Sequence, residues 1–329
     1  MKFALLYNTA FLGTDPDQLV AMARHAEECG FESFYLPEHI ALYPGATLAA
    51  NGPAIPPDIP IADPLECLSF VAAATSRILL GTGVLLLPFH QPVVLAKRLA
   101  TIDVLSKGRL LPGFGIGSPR GPEWQVLHLD PATRGKKTDE SLEIIRRLWT
   151  EDQVDFSGTH YRLTGASISP KPLQPDLPIW IGGSSAAAIR RTARYGTGWQ
   201  AGGESVAEIG PVIAAIRDAA IAAGRPIDED HYGAAFPFRF GRVDDPGMAR
   251  AMETYRARTG RDPATMFAVG DAGTIVDRIA AFVAAGASKF ILRPAGGDDA
   301  DLLDQTQRLI EEVLPAVAAR WPKPAKLAA

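Results

Sequence analysis

Two cysteines in 329 residues, Cys29 and Cys67, are too few for a disulfide framework. Both fall in apolar-patterned stretches that read as helices, where reduced, buried thiols are expected rather than a disulfide or a metal site. No run approaches about 18 uninterrupted apolar residues, so no membrane span is expected. There is no long basic run, and a net charge of −4 argues against nucleic acid as the main partner. The opening MKFALLY reads as the start of a strand and is too short for a signal peptide, so a cytoplasmic location is expected. No convergent His/Cys/Asp/Glu grouping stands out, and no metal is expected. A G-x-S-x-G elbow is missing, which leaves serine-hydrolase chemistry unsupported. GFGIGS (113–118) imitates a dinucleotide fingerprint only superficially, because the third glycine is out of place and no helix follows closely.

What is present is a steady alternation of short apolar runs and longer amphipathic ones. Apolar residues make up 47% and charged residues 21%, the composition of an ordinary soluble chain with ample core. Strands are expected at 2–7, 31–37, 77–87, 109–116, 177–183, 198–202, 234–243 and 289–294. Helices are expected at 16–29, 63–75, 91–106, 137–150, 185–195, 205–223, 246–259, 274–286 and 300–319. Asp15-Pro16 and Asp63-Pro64 mark two helix starts. VDFSGTHYRL (154–163) reads as an inserted hairpin around Ser157-Gly158. Eight strands separated by helices over this length predict a (β/α)8 TIM barrel with insertion segments, in preference to an open doubly wound sheet. A single domain over 1–320 is expected, with an insertion at about 152–176 and a loose tail at 321–329.

Barrel chemistry sits at the C-terminal ends of the strands. That rule selects Glu38 and His39, Gly117 and Ser118, Gly182–Ser185, Trp199, and Arg293-Pro294. ILLGTGVLLLP (78–88) combines the apolar run of a fully covered strand with two internal glycines, Gly81 and Gly83, that weaken a strand. IGGSSAAAIRR supplies two glycines and two serines at the start of a helix, where free N–H groups favour phosphate. It reads equally as a tight turn with a serine cap. A histidine at a barrel mouth, His39, exchanges protons near neutral pH, or it bonds loop backbone. His90 reads as structural, and His25, His128, His160 and His231 lack partner spacing. Arg134 is expected to pair with Glu140 rather than to hold an anion.

GFESFYLPEHI, RILLGTGVLLLPFHQPVVLAKRLATIDVLSKGRLLPGFGIGS, FSGTHYRL, PKPLQPDLPIWIGGSSAAAIRRTARYGTGW and VGDAGTIVDRIAAFVAAGASKFIL together resemble the luciferase-like flavin/deazaflavin oxidoreductases, in the family's order over most of residues 1–293. The ATIDVLSKGRL and PIWIGG…YGTGW blocks look most like the branch that uses coenzyme F420 in place of FMN. The resemblance implies a barrel with a cofactor across its mouth and a non-prolyl cis peptide at Gly83–Val84. That peptide would form a bulge behind the cofactor's middle ring, with Val84, Leu85 and Leu86 as apolar backing. It further implies that Gly182, Gly183, Ser184 and Ser185 bind the cofactor's phosphate, with Trp199 on the phosphate side and Gly117 and Ser118 near the ring. His39 matches the family's active-site histidine, a proton donor or acceptor, and Glu38 is its expected neighbour in ring or ribityl binding.

Some relatives that oxidise alcohols or sugar phosphates carry a glutamate where this chain has Ser118. That departure counts against such a role, and Glu123 nearby is not assumed to substitute. The expected function is therefore F420-dependent hydride transfer to or from a small organic substrate. An FMN-dependent monooxygenase fed by a partner flavin reductase is the alternative, and a cofactor-binding protein without turnover a third. The Pro-, Ala- and Ile-rich loop at 40–62 is expected to line the pocket of an apolar or uncharged substrate. A homodimer is the default expectation.

Overall fold

Strand β1 (Lys2–Leu6) is the point at which a ring of parallel strands closes. The computed structural model describes residues 1–42, 59–295 and 299–321. After β1 come β2 (Ser33–Leu36), β3 (Leu79–Thr82), β4 (Leu85–Leu86), β5 (Leu110–Leu111) and β6 (Gly113–Gly115). The hairpin strands β7 (Val154–Ser157) and β8 (Arg162–Ala166) follow, then β9 (Trp180–Gly182), β10 (Gly198–Gln200), β11 (Tyr232–Phe240), β12 (Ala268–Gly270) and β13 (Lys289–Pro294). β1 pairs with β2 on one side and β13 on the other. The pairings continue from β2 to β3, from β3 to β5, from β4 to β6, then through β9, β10 and β11 to β13. β3 with β4, and β5 with β6, are halves of single interrupted strands, so eight parallel strands close a (β/α)8 barrel.

The sequence reading gave each of those interrupted strands as continuous. The first breaks at Gly83–Val84, which is a non-prolyl cis peptide as expected. The second breaks at Pro112, which has no N–H for the ladder. Thr82 bridges the two breaks: its Oγ1 accepts from Gly113 N–H at 2.8 Å and donates to Gly113 O at 3.0 Å. A side chain thus replaces the missing ladder bonds. β12, three residues beside β11, was not anticipated, being too short to show a period. The last helix is interrupted by a π turn at Leu309–Val313, just before Pro315.

Side chains alternate across each strand. One set points into the barrel, where Ala4, Tyr35, Leu111, Trp180 and Ile291 form a small cluster. The other set packs on the surrounding helices in two larger cores. Gly81 is explained by this interior. A Cβ there would stand 2.5 Å from the Tyr35 ring, so the glycine makes room for the aromatic plug. Lower in the barrel the fully buried Lys289 ammonium pairs with Glu32 and lies 4.9 Å from the Trp180 ring. Burial pushes the Lys289 pKa down, and Glu32 opposes the shift.

Arg134 and Glu140 do not pair. Both lie on the helix Arg134–Thr150, and a separation of six places them on different faces. Arg134 donates to Pro131 O instead, while the Glu140 carboxylate accepts the N–H groups of Thr159, His160 and Tyr161 in the β7–β8 turn. Cys29 and Cys67 are free thiols, half-buried rather than fully buried. Among the described residues no helix is long and apolar enough to cross a membrane. The expected tail lies outside the described residues from 322 onward, as does most of the 40–62 loop, at 43–58.

Candidate active site at the barrel mouth

Just past β2, Pro37 sends the chain over the mouth, and the two residues after it find different partners. His39 Nδ1 lies 2.6 Å from Glu123 Oε1; the carboxylate is 2% exposed and the imidazole 31%. A buried carboxylate so placed accepts from Nδ1–H and leaves Nε2 as the nitrogen available for exchange. Glu38 is buried too, but it turns away from His39. Its Oε2 accepts from Leu86 N–H at 2.6 Å, and its Oε1 stands 2.9 Å from His90 Nε2. Glu38 thus anchors the bulge strand, and both of its oxygens are engaged by protein groups.

The bulge sits among glycines. Val84 points toward Gly113, Gly115 and Gly182: Cβ atoms added there would stand 3.5, 2.6 and 3.4 Å from its methyl groups. Three glycines on two neighbouring strands therefore form the cradle that lets Val84 lie flat across the barrel top. Val84 and Leu86 are half-buried, and alternation with Leu85 turns them to the inner side of the barrel. Leu85 is fully buried in the core between the ring and the helices, because alternation turns it outward, and the expected apolar backing reduces to its two neighbours.

After β9 the turn Gly182–Ser185 opens the helix Ala186–Tyr195, and Gly183, Ser184 and Ser185 are exposed. Gly183 has φ +97°, a conformation that a side chain would resist. The Ser185 hydroxyl accepts from Ala188 N–H at 3.2 Å, so it caps the helix. The serine-capped turn is therefore present, with exposed residues at a helix N-terminus. Trp199 is fully buried and its indole N–H donates to Gly183 O at 2.8 Å. The expected direct role for Trp199 gives way to a supporting one, since a side chain without exposed surface cannot touch a ligand.

At the end of β6, Gly117 adopts φ +69° and a Cβ there would lie 3.6 to 3.7 Å from the Trp124 and Phe89 rings. Those rings pack edge to face, 4.5 Å apart. Ser118 is exposed, and its carbonyl accepts from the Trp124 indole N–H at 2.7 Å. Sequence reading considers Glu123 only as a substitute at Ser118 and does not pair it with His39, and it passes over Trp124 and Phe89. No local pattern flags a carboxylate 84 positions away from its histidine. The structure also brings Asp228, Asp230 and His231 within 4.8 Å of one another, a grouping not noticed in the sequence. It lies at the opposite end of the barrel, before β11, where Asp230 pairs with Lys2 at 2.9 Å.

Residues 1–257 match the luciferase-like monooxygenase family. An uncharacterised protein of Mycobacterium tuberculosis (strain ATCC 25618 / H37Rv) is 34% identical over 236 residues, covering 68% of this chain and 80% of the relative. An F420-dependent glucose-6-phosphate dehydrogenase of Nakamurella multipartita is 33% identical over 222 residues, covering 65% of this chain and 61% of that protein. Among solved structures, an F420-dependent secondary alcohol dehydrogenase in complex with an F420-acetone adduct superposes with a TM-score of 0.78 at 19% identity, over 96% of this chain and 99% of that one. The FMN complex of a type II Baeyer-Villiger monooxygenase from the CAM plasmid of Pseudomonas putida superposes with a TM-score of 0.76 at 18% identity, over 96% and 98%. At those identities the two structures speak for the fold.

Proposed function

Because the chain belongs to the luciferase-like monooxygenase family, matched over residues 1–257, we propose that it is an oxidoreductase that binds coenzyme F420 and moves hydride to or from a small organic substrate. The observation that carries the reading is the His39–Glu123 pair, an imidazole and a buried carboxylate at the same end of the barrel as a glycine-lined, otherwise apolar cradle. The resemblance of its sequence blocks to F420-dependent proteins, one of them 33% identical, supports the deazaflavin over FMN.

The residues present fit such a group. The Gly113, Gly115 and Gly182 cradle sets Val84 as a flat apolar floor, and the turn at Gly183–Ser185 offers backbone N–H groups to a phosphate. When bound, a deazaflavin supplies a ring carbon that carries hydride and reacts poorly with oxygen. The chain's own part is to bind, orient and exchange one proton. Val84 and Leu86 would back the group, and Glu38 fixes their strand through Leu86 N–H. His39 gives or takes the proton at Nε2, while Glu123 fixes the tautomer from the other ring nitrogen. Gly117 and Ser118, at the end of β6, would help hold the group.

Titrating the purified protein with F420 and with FMN tests the assignment. Micromolar or tighter binding of F420 is expected; tight FMN binding with none for F420 would sink it. An FMN-dependent monooxygenase, supported by the FMN-bound neighbour of the same fold, would consume oxygen when given reduced FMN.

A further inference from the structure

We propose that His90 is a positioning residue of the mouth: through Glu38 it sets the strand that carries Val84 and Leu86, and with it the affinity of the cradle for its ligand. The inference rests on the cofactor reading above and adds a residue that acts on binding through another side chain. The sequence places His90 between two stiff segments. In LLPFHQP (86–92), Pro88 stiffens the 3-10 turn Leu87–Phe89 and Pro92 opens the helix Pro92–Leu105. The Gln91 side chain belongs to that helix, where it accepts from Val94 N–H at 2.9 Å. His90 N–H closes the turn by donating to Leu87 O at 3.1 Å, and the His90 backbone is extended. The imidazole is left to reach sideways, to the end of β2.

There it meets the Glu38 carboxylate. His90 Nε2 stands 2.9 Å from Oε1 and 3.1 Å from Oε2, so an Nε2–H straddles both oxygens. Oε2 also accepts from Leu86 N–H at 2.6 Å. One carboxylate from the end of β2 therefore holds Leu86 and His90, the residues that flank the turn on either side. Backbone and side chains form a closed loop: Leu86, the turn, the imidazole, the carboxylate, and back to the Leu86 amide. The carboxylate is 1% exposed and the imidazole 11%, so water is a poor replacement for the Nε2–H donor. A buried carboxylate that loses one of its donors is under-satisfied and turns toward solvent, which releases the other donor. His90 thereby keeps Glu38 on Leu86. The same turn makes two further contacts. The Phe89 ring packs on Trp124, and Trp124 follows the Glu123 that meets His39. Lys137 Nζ donates to Pro88 O at 3.3 Å. The loop closed by His90 thus stands between the cradle and the short helix that supplies the carboxylate of the His39 pair.

The test compares two substitutions of similar polarity. In His90→Gln the side-chain amide carries an N–H to about the position of Nε2; in His90→Asn the shorter amide stops at about that of Nδ1, short of Glu38. Hydrogen exchange at the Leu86 amide, followed by NMR on the full chain without cofactor, reads the closed loop directly. In His90→Asn this amide is expected to exchange about tenfold or more faster than in the wild type, and in His90→Gln within about threefold of it. Calorimetric titration with F420 reads the consequence: binding about tenfold weaker in His90→Asn, with most of the loss recovered in His90→Gln. A histidine with a merely structural role would give two variants that behave alike. Wild-type exchange at Leu86 in His90→Asn, F420 bound as tightly by that variant as by the wild type, or equal losses in both variants would each overturn the proposal. His90→Leu, which supplies bulk without a donor, replaces His90→Asn if the latter does not fold, with the same result expected. Faster Leu86 exchange in His90→Asn, with no F420 binding by the wild type, would leave the positioning role standing and remove the cofactor assignment. F420 binding that His90→Asn leaves unchanged would do the reverse.

Discussion

Glu38 and His39 are neighbours in the chain, and their side chains serve different strands. Glu38 holds the bulge through Leu86 N–H at 2.6 Å and faces His90, while His39 meets Glu123 beyond β6 at 2.6 Å. Two acid–imidazole pairs thus tie the ends of three barrel strands together, one buried and one open to the mouth.

Under the proposed function the open pair carries the proton exchange. His39→Asn is expected to lower kcat with F420 and substrate by about 10²- to 10⁴-fold, the usual range for a lost acid or base. Glu123→Gln leaves the imidazole in place but loosens its tautomer, for a loss of about 10- to 100-fold. F420 affinity should change little in either variant. Unchanged kcat in His39→Asn would favour the reading of a binding protein without turnover.

The closed pair governs the cradle. Glu38→Ala strands the Leu86 N–H and the His90 ring, and a fall in stability of about 1.5–3 kcal/mol is expected in chemical denaturation. Weaker F420 binding should accompany it, because Val84 and Leu86 lose their anchor. Wild-type stability in this variant would contradict the arrangement.

Glycines under the bulge set its height. Gly115→Ala puts a methyl 2.6 Å from a Val84 methyl, and Gly81→Ala puts one 2.5 Å from the Tyr35 ring. Each is expected to destabilise by about 1–3 kcal/mol. Only Gly115→Ala should also reduce F420 affinity. Pairing Gly81→Ala with Tyr35→Leu should recover part of the lost stability.

Acid sensitivity has a named contributor at the entrance to β3. Burial would raise the Glu27 carboxyl, but the N–H groups of Ile78, Arg77 and Ser76 outweigh it and hold the pKa at about 2. The unfolded carboxyl titrates near 4.3. The folded value is depressed, so the stabilisation is complete above that pH and is lost as pH falls from there toward about 2. Glu27→Gln is expected to cost about 1 kcal/mol at neutral pH, discounted for its exposure. It should also flatten the acid limb of a thermal-unfolding profile, and an unchanged limb would count against the assignment.

The barrel was legible because periodicity and punctuation agree. Apolar runs, proline starts and glycine stops placed the eight strands and most helices close to where they lie. The ends of β2 and β9 put His39 and Gly182–Ser185 on the correct face. What escaped was contact at long range. Glu123 opens a four-residue helix too short to show a period, and its partner lies in another unit of the fold. Leu85 reads like its neighbours because a continuous apolar run hides which members face in. The resemblance implies a phosphate-side Trp199, but its full burial puts it in the layer beneath the Gly182–Ser185 turn.

That lower layer has a consequence for polarity at the mouth. A trans peptide group points its C=O and the following N–H in opposite directions. The Trp199 indole draws the Gly183 carbonyl down into the barrel wall at 2.8 Å. The amide of Ser184, in the same peptide plane, is thereby turned outward. A fully buried aromatic thus decides that the turn shows solvent its donor rather than its acceptor, and so fixes the sign of the charge that the turn can welcome.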